Sequence, residues 1–356
     1  MKNITYCLII PLLFFACQEN TKKQFTLLSP DATGIAFSND ITETDSLNYF
    51  TYPYMYMGGG VAAGDINNDG LVDLFFTANM KSNKLYLNKG DLQFEDITNA
   101  ANVEGDERWF TGATMVDINN DGFLDIYVSV SGKGTKRNNL LYLNNGDLTF
   151  TDAGTSYGLD HNGHTTQTTF FDYDNDGDLD VYLANYPPTP FKSPVALYRR
   201  KMDYPKLEES DILFQNNGDG TFTDVTVEAG ILNFGLSLSA TASDFNHDGW
   251  VDIYVSNDFD SPDYLYINNQ DGTFSEVAKT SLKHTAQYGM GADIADYNND
   301  LLLDIAQVDM TPEGNRRSKA NMASMNPIGF EKMVKAGFSV SSSCSKTIFN
   351  ILRHIL

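Results

Sequence analysis

An all-β fold, an incomplete β-propeller of about four to five blades, is predicted by three features of this 356-residue chain. A nine-residue pattern, Asp-x-(Asp/Asn)-x-Asp-Gly-x-x-Asp, opens at Asp65, Asp117, Asp172 and Asp244, and returns at Asp296 with Leu301 in the glycine position. A second pattern alternates with it: a short alternating strand, a polar turn of the Asn-x-Gly-Asp kind, and a return through Phe94, Phe150, Phe222 or Phe274. The acidic loops start 52, 55, 72 and 52 residues apart. A period near about fifty residues with about four short strands matches propeller blades, each of which hides one sheet face on the next.

The chain begins with a targeting segment. Lys2 precedes the apolar stretch Ile4 to Phe15, which is too short for a comfortable membrane span. It ends in Phe14-Phe15-Ala16-Cys17, which resembles a bacterial lipobox, so residues 1–17 are the expected signal peptide and Cys17 the expected lipidation site. Residues 18–44 then read as a tether. Cys7 falls in the removed segment, leaving Cys344 as the one further cysteine, so no disulfide framework is expected. An exported chain without disulfides needs another staple.

Residues 45–310 are the expected propeller repeats. Each unit should open with a strand rich in small residues (GGGVAAGD, WFTGATMVD, TTQTTFFD, LSLSATASD, YGMGADIAD), as needed where strands crowd together. The acidic loop follows. In the first copy Asp65, Asn67 and Asp69 alternate, so a tight loop can turn all three inward. Gly70 makes the sharp turn, Leu71 offers its carbonyl and Asp73 closes the ring. The same roles fall to Asp117, Asn119, Asp121, Phe123 and Asp125, to Asp172, Asp174, Asp176, Asp178 and Asp180, and to Asp244, Asn246, Asp248, Trp250 and Asp252. The fifth copy supplies Asp296, Asn298, Asp300, Leu302 and Asp304.

Such crowding of carboxylates is repulsive, and no cation sits opposite them within the loops. A hard dication relieves it, because Ca²⁺ takes roughly six to eight oxygens from carboxylates, amides and backbone. About five Ca²⁺ sites are therefore expected. An EF-hand opens similarly but needs a glutamate at its twelfth position. Phe76, Val128, Leu183, Val255 and Gln307 stand there. The runs after the loops (DLFFTA, DIYVSV, DVYLAN, DIYVSN, DIAQVD) read as buried strands, not helices. Each strand leads into its hairpin, spanning 83–98, 138–154, 211–226 and 263–278.

Net charge is −23, from 47 acidic and 24 basic residues, and sixteen aspartates occupy ligand positions in the loops. This charge argues against nucleic acid as a partner, since phosphate binding needs a basic face. The 23 Phe and 19 Tyr suit a β-rich protein. No nucleophile elbow, zinc-protease or phosphate-loop motif occurs. His161 and His164 flank a turn glycine, His247 sits within a loop, and His284 and His354 are isolated, so none points to catalysis. The longest gap between loops holds Asn185 to Ser210, rich in Pro and Tyr, which reads first as a covering loop on the propeller rim and second as a partner- or glycan-binding insertion.

The acidic loop with its preceding small-residue strand resembles the FG-GAP/VCBS repeat, and the Asn-Gly-Asp-Gly-Thr-Phe hairpin is that repeat's usual companion. The run DMTPEGNRRSKANMASMNPIGFEKMVKAGF, from Asp309 to Phe338, resembles the subgroup related to cartilage acidic protein, whose members often carry a C-terminal ASPIC/UnbV domain. The likeness implies a calcium-binding propeller at the cell envelope. After Phe338 the chain departs from it, and 311–356 is expected to be a family-like segment followed by an aberrant or truncated tail.

The function expected is a noncatalytic binding or adhesion module for an unidentified protein or glycan ligand. It would be exported to the bacterial outer membrane or cell envelope, periplasmic or surface-facing, and meet the membrane through a lipid anchor only. An enzyme acting on polysaccharide and a purely architectural envelope component are the alternatives.

Overall fold

The computed structural model describes residues 25–106, 108–187, 200–201, 203–204, 206–258, 261–282, 285–286, 288–309 and 348–351. The expected signal peptide with Cys17, residues 188–199 of the insertion and most of 311–356 lie outside the described residues. Among the described residues no helix is long and apolar enough to cross a membrane.

The chain forms consecutive antiparallel sheets, the blades of an all-β propeller. The first contains β1 (Val61–Gly64), β2 (Asp73–Phe76), β3 (Lys84–Asn88) and β4 (Phe94–Asp96). The second contains β5 (Trp109–Val116), β6 (Asp125–Ser131), β7 (Leu140–Asn144) and β8 (Phe150–Asp152). The third contains β9 (Thr165–Phe171), β10 (Asp180–Asn185), β11 (Ile212–Asn216) and β12 (Phe222–Asp224), and the fourth β13 (Ser237–Ser243), β14 (Asp252–Asn257), β15 (Tyr264–Asn268) and β16 (Phe274–Glu276). In the fifth, β17 (Gly289–Ala295) and β18 (Asp304–Asp309) are joined by β19 (Ile348–Ile351), which pairs antiparallel with β18. Each acidic loop links the first and second strands of its blade, as the repeat predicts.

The second strands of the three middle blades, β6, β10 and β14, are buried along their whole length because both faces of their sheets are covered. Side chains alternate across a strand. In β6, Ile126, Val128 and Val130 pack toward the first sheet, while Tyr127 packs toward the third. The next interface, between third and fourth sheets, joins Tyr182, Leu213 and Ile231 to Ile253, Val255 and Tyr264. Ile305 of β18 closes against Tyr254 and Leu265. Each fully buried aliphatic side chain contributes about 1.5–3 kcal/mol, so the stability of a blade lies largely in its neighbours.

The first strands β1, β5, β9, β13 and β17 follow one another in contact. Their closeness explains the small residues. A Cβ on Gly60 would sit 2.7 Å from the Ala113 nitrogen, and one on Gly112 would sit 2.8 Å from the Thr166 carbonyl oxygen. Hydroxyls cross the gaps: Thr111 Oγ1 donates to the Thr165 carbonyl at 2.6 Å, Thr166 to Ser237 at 2.7 Å, Thr169 to Ala240 at 2.8 Å and Thr241 to Ala292 at 3.2 Å.

Part of the stretch expected as a tether docks on the first sheet. A short helix, Pro30–Thr33, is capped by the Ser29 hydroxyl, and Gln93 Nε2 donates to the Ala32 carbonyl at 2.5 Å. Phe37 stacks on Phe76 with centroids 5.0 Å apart, and Asn39 and Asn79 exchange two hydrogen bonds.

Candidate metal centres

The five acidic loops share one backbone conformation. The first aspartate accepts from the backbone N–H groups of the fifth and sixth residues: 3.1 and 2.7 Å at Asp65, 3.0 and 2.9 Å at Asp117, 3.2 and 3.0 Å at Asp172, 3.1 and 2.9 Å at Asp244, and 3.0 and 2.8 Å at Asp296. The fifth aspartate caps the seventh N–H: Asp69 with Leu71, Asp121 with Phe123, Asp176 with Asp178, Asp248 with Trp250 and Asp300 with Leu302. The ends of the loop are thereby drawn together and the seventh residue is fixed by its own N–H.

Two positions are left-handed. The sixth is the expected glycine, with φ of 87, 88, 95 and 86° at Gly70, Gly122, Gly177 and Gly249, while Leu301 adopts 69° without a glycine's freedom. The fourth position was not singled out in the sequence. Asn68, Asn120, Asn175, His247 and Asn299 take φ between 57 and 59°. The signal was present: asparagine, which tolerates this region, fills four of the five positions.

The ninth aspartate is buried in every loop and does more than close a ring. Asp73 Oδ2 accepts from the Ile66 N–H at 3.0 Å and Oδ1 from the Asn88 N–H at 2.7 Å. Asp125 holds Ile118 and Asn144 likewise, Asp180 holds Tyr173 and Asn216, and Asp252 holds Phe245 and Asn268. It therefore ties the loop to the third strand of its own blade. Burial first, and then the neighbouring loop carboxylates, push Asp125 and Asp252 up to about 6 and Asp180 up to about 7, while the accepted N–H groups pull the other way. Each would be eased by a cation.

The loops differ at the third position. In loops one, two and four the asparagine amide donates to the fifth aspartate, at 3.0, 2.9 and 3.0 Å from Asn67, Asn119 and Asn246. In the fifth, Asn298 Nδ2 turns instead to Asp304 Oδ2 at 3.2 Å. In the third, carboxylate oxygens of Asp172, Asp174 and Asp176 lie within 4.8 Å of one another. Gln215 Nε2 holds Asp174 Oδ2 at 2.7 Å, and Asp174 Oδ1 is buried with no hydrogen-bond partner among the described residues. An orphaned buried oxygen beside two further carboxylates fits a hard dication. The residues of the third loop therefore suit Ca²⁺ most directly.

A second buried set lies apart from the loops. Asp211 accepts from Tyr182 Oη (2.7 Å), the Asn185 N–H (2.7 Å), Asn233 Nδ2 (2.8 Å) and Ser237 Oγ (2.7 Å). Asp263 accepts from Tyr254 Oη (2.9 Å), the Asn257 N–H (2.8 Å) and Gln307 Nε2 of the next blade (3.0 Å). Asn139 holds this place in the second blade and donates to Tyr127 Oη at 3.0 Å, so there the tyrosine turns its proton to the Leu159 carbonyl. These carboxylates are satisfied by donors and brace strands. Of the histidines, His247 is exposed, and burial holds His164 down at about 4 and His161 below its usual value. His284 and His354 lie outside the described residues.

Comparison with known proteins gives this architecture a family. The FG-GAP-like repeat matches residues 49–128, 129–183, 208–255 and 244–306. Cartilage acidic protein 1 of Homo sapiens is 25% identical over 301 residues, covering 80% of this chain and 43% of that protein. The Xenopus tropicalis protein is 24% identical over 307 residues, covering 80% and 44%. The chain thus spans less than half the length of the curated relatives it matches. Among solved structures, an Agrocybe aegerita lectin described by its recognition of non-reducing terminal N-acetylglucosamine superposes with a TM-score of 0.40 and 19% identity, over 69% of this chain and 60% of that one. With the repeat matched across most of its length, the chain belongs to the FG-GAP-like repeat family and is related to cartilage acidic protein.

Proposed function

We propose that this propeller is a calcium-braced, noncatalytic binding or adhesion module of the cell envelope, anchored by lipid at Cys17, with a protein or glycan as its ligand. The carrying observation is the third loop, where Asp172, Asp174 and Asp176 converge and Asp174 Oδ1 is buried without a partner. A cation there would offset like-charge repulsion and supply that oxygen's missing contact. The other loops repeat the backbone, with Asp65, Asn67, Asp69, Asp73 and the Leu71 carbonyl as the ligand set of the first, and their equivalents in the rest.

The role assigned to the metal is mechanical. The ninth aspartate already ties each of the first four loops to its blade, and a cation held by the first, third and fifth side chains would stiffen that link. Binding to the folded state alone stabilises it by mass action, by about 2.7 kcal/mol per site at a hundredfold excess over Kd. The chain's acidic surface fits a protein or sugar ligand better than a nucleic acid.

The test is metal analysis of native protein, thermal melts with calcium and with chelator, and a screen of the calcium-loaded chain on immobilised glycans and envelope proteins. Bound calcium, a melting point lowered by chelation and a saturable ligand are expected. Protein free of alkaline-earth ions that melts identically with and without chelator refutes the metal role. Turnover of a polysaccharide by the same preparation refutes the noncatalytic reading. Labelled palmitate on wild type but not on C17A checks the anchor.

A further inference from the structure

A cleft of about 460 Å³ opens between the third and fourth blades, beside the third acidic loop. Asp174, Gln215, Glu228, Trp250, Gln270 and Asp271 line it, and no lysine, arginine or histidine is among its described lining residues.

Four of these six residues, Asp174, Gln215, Glu228 and Gln270, stand where the repeat abandons its own usage. Asp174 stands where the other loops have Asn67, Asn119, Asn246 and Asn298. Gln215 replaces the apolar residue seen at Leu87, Leu143 and Ile267, and Glu228 replaces the small residue seen at Ala100, Ser156 and Thr280. Trp250 occupies a variable position, filled by Leu71, Phe123, Asp178 and Leu302 in the other copies, and brings the indole to the cleft. Gln270 takes the hairpin position filled by glycine at Gly90, Gly146 and Gly218, and does so at φ 65°, where a side chain is disfavoured. These departures come from two blades and from loops and strands alike, yet they converge on one cleft. Stability of the repeat does not require them, since its sibling copies fold without them.

The chemistry of the lining selects a ligand class. Both amide nitrogens are engaged: Gln215 Nε2 with Asp174 at 2.7 Å and Gln270 Nε2 with Asp248 at 3.1 Å. Each glutamine then keeps its carbonyl oxygen and one further N–H to offer. Asp271 and Glu228 add carboxylates outside both acidic loops, so neither is among the proposed metal ligands. The wall is therefore rich in acceptors and holds an indole. An acceptor-rich, cation-free wall beside an indole fits a donor-only cation, which gains both from the carboxylates and from the aromatic face.

We infer that this cleft binds the ammonium or guanidinium end of a basic side chain presented by a protein partner. The inference rests on the reading of the propeller as a binding module and names the partner's chemistry; it does not depend on calcium.

The test is calorimetric or saturation-transfer titration of the full chain with Nα-acetyl-lysine methylamide, its arginine counterpart, the norleucine analogue and methyl N-acetylglucosaminide. The lysine or arginine probe should bind, more weakly as salt rises, and norleucine should not. W250L, E228S and Q270G each restore a residue that the repeat uses elsewhere, so folding should survive, as a melting curve checks. W250L and E228S should each weaken binding by about tenfold. Norleucine binding as well as lysine, no loss in either variant, or the sugar binding in place of the cations overturns the proposal. If the cations fail to bind while the chain still captures a ligand on the screens above, the cleft assignment falls and the binding-module reading stands.

Discussion

Asn144 Nδ2 reaches from the second blade to the Ile66 carbonyl of the first at 2.8 Å. Ile66 donates its own N–H to Asp73 within the first acidic loop. Asn268 repeats the reach to the Tyr173 carbonyl of the third blade at 2.7 Å. Each acidic loop so gripped is clamped twice, by its ninth aspartate from inside and by the neighbouring hairpin from outside.

Asn144 also donates to the Leu124 carbonyl and accepts from the Gly146 N–H. Removing it in N144A leaves buried groups unsatisfied, for an expected loss of about 1–3 kcal/mol in denaturant unfolding. The adjacent Asn145 bonds only within its exposed turn, so N145A should stay within about 0.5 kcal/mol of wild type. Equal effects would remove the special role of the inter-blade bond.

Leu301 is 83% exposed, so packing does not explain its left-handed φ of 69°. L301G should therefore raise stability by about 0.5–1 kcal/mol, and G122A at the equivalent site should lower it by about 1–2 kcal/mol. Paired urea titrations read both signs. A destabilised L301G would mean that the leucine has an unseen contact.

Calcium stoichiometry should respond loop by loop. D121A is expected to remove one ion and to lower the calcium-loaded melting point by more than the chelated one, which loses only the bonds Asp121 makes to Phe123 and Asn119. D178N should keep the ion, because the ligand proposed at that residue is its backbone carbonyl and not its side chain. Isothermal titration counts both. Loss of an ion in D178N would transfer the ligand role to the carboxylate.

The pH dependence follows from Asp211 and Asp263. Burial raises both to about 7, against the donors that pull them back. A folded pKa above the unfolded one means that the folded state holds the proton more tightly. Their contribution favours folding at low pH and is lost as pH rises from about 4 through about 7, each tenfold gain in proton affinity being equivalent to about 1.4 kcal/mol. In chelator, the ninth aspartates act in the same direction. Urea midpoints should fall between pH 5 and pH 8.5, and D263N should flatten the slope. A midpoint that rises over this range would show that the donors outweigh burial.

The local features of this fold were legible in the sequence. Acidic loop, hairpin turn and small-residue strand are each set by residues within about ten positions, where turn chemistry and periodicity act. What joins the blades was not. Asn144 and Ile66 are 78 positions apart, and their contact depends on how one twisted sheet sits on the next. Gln307, read only as a non-acidic twelfth loop residue, bridges Ser256 and Asp263 of the preceding blade. Asp211 and Asp263 entered only as the first residues of two hairpin runs, because their donors lie on other segments of the chain. The cleft was hidden for another reason: Asp174, Gln215, Glu228 and Gln270 are visible only as exceptions, once the repeats are aligned by their strands.

The threonine hydroxyls between first strands carry one more consequence. Each sheet completes its backbone ladder internally, and its central seam with the next sheet uses side-chain oxygens of Thr111, Thr166, Thr169 and Thr241. Neighbouring units are thus coupled through a joint that can be edited one atom at a time. A Thr-to-Val exchange at that seam would leave both flanking ladders whole and loosen only their mutual alignment. The hydroxyls thus tune how adjacent sheets align, while the apolar faces shared between blades hold them together.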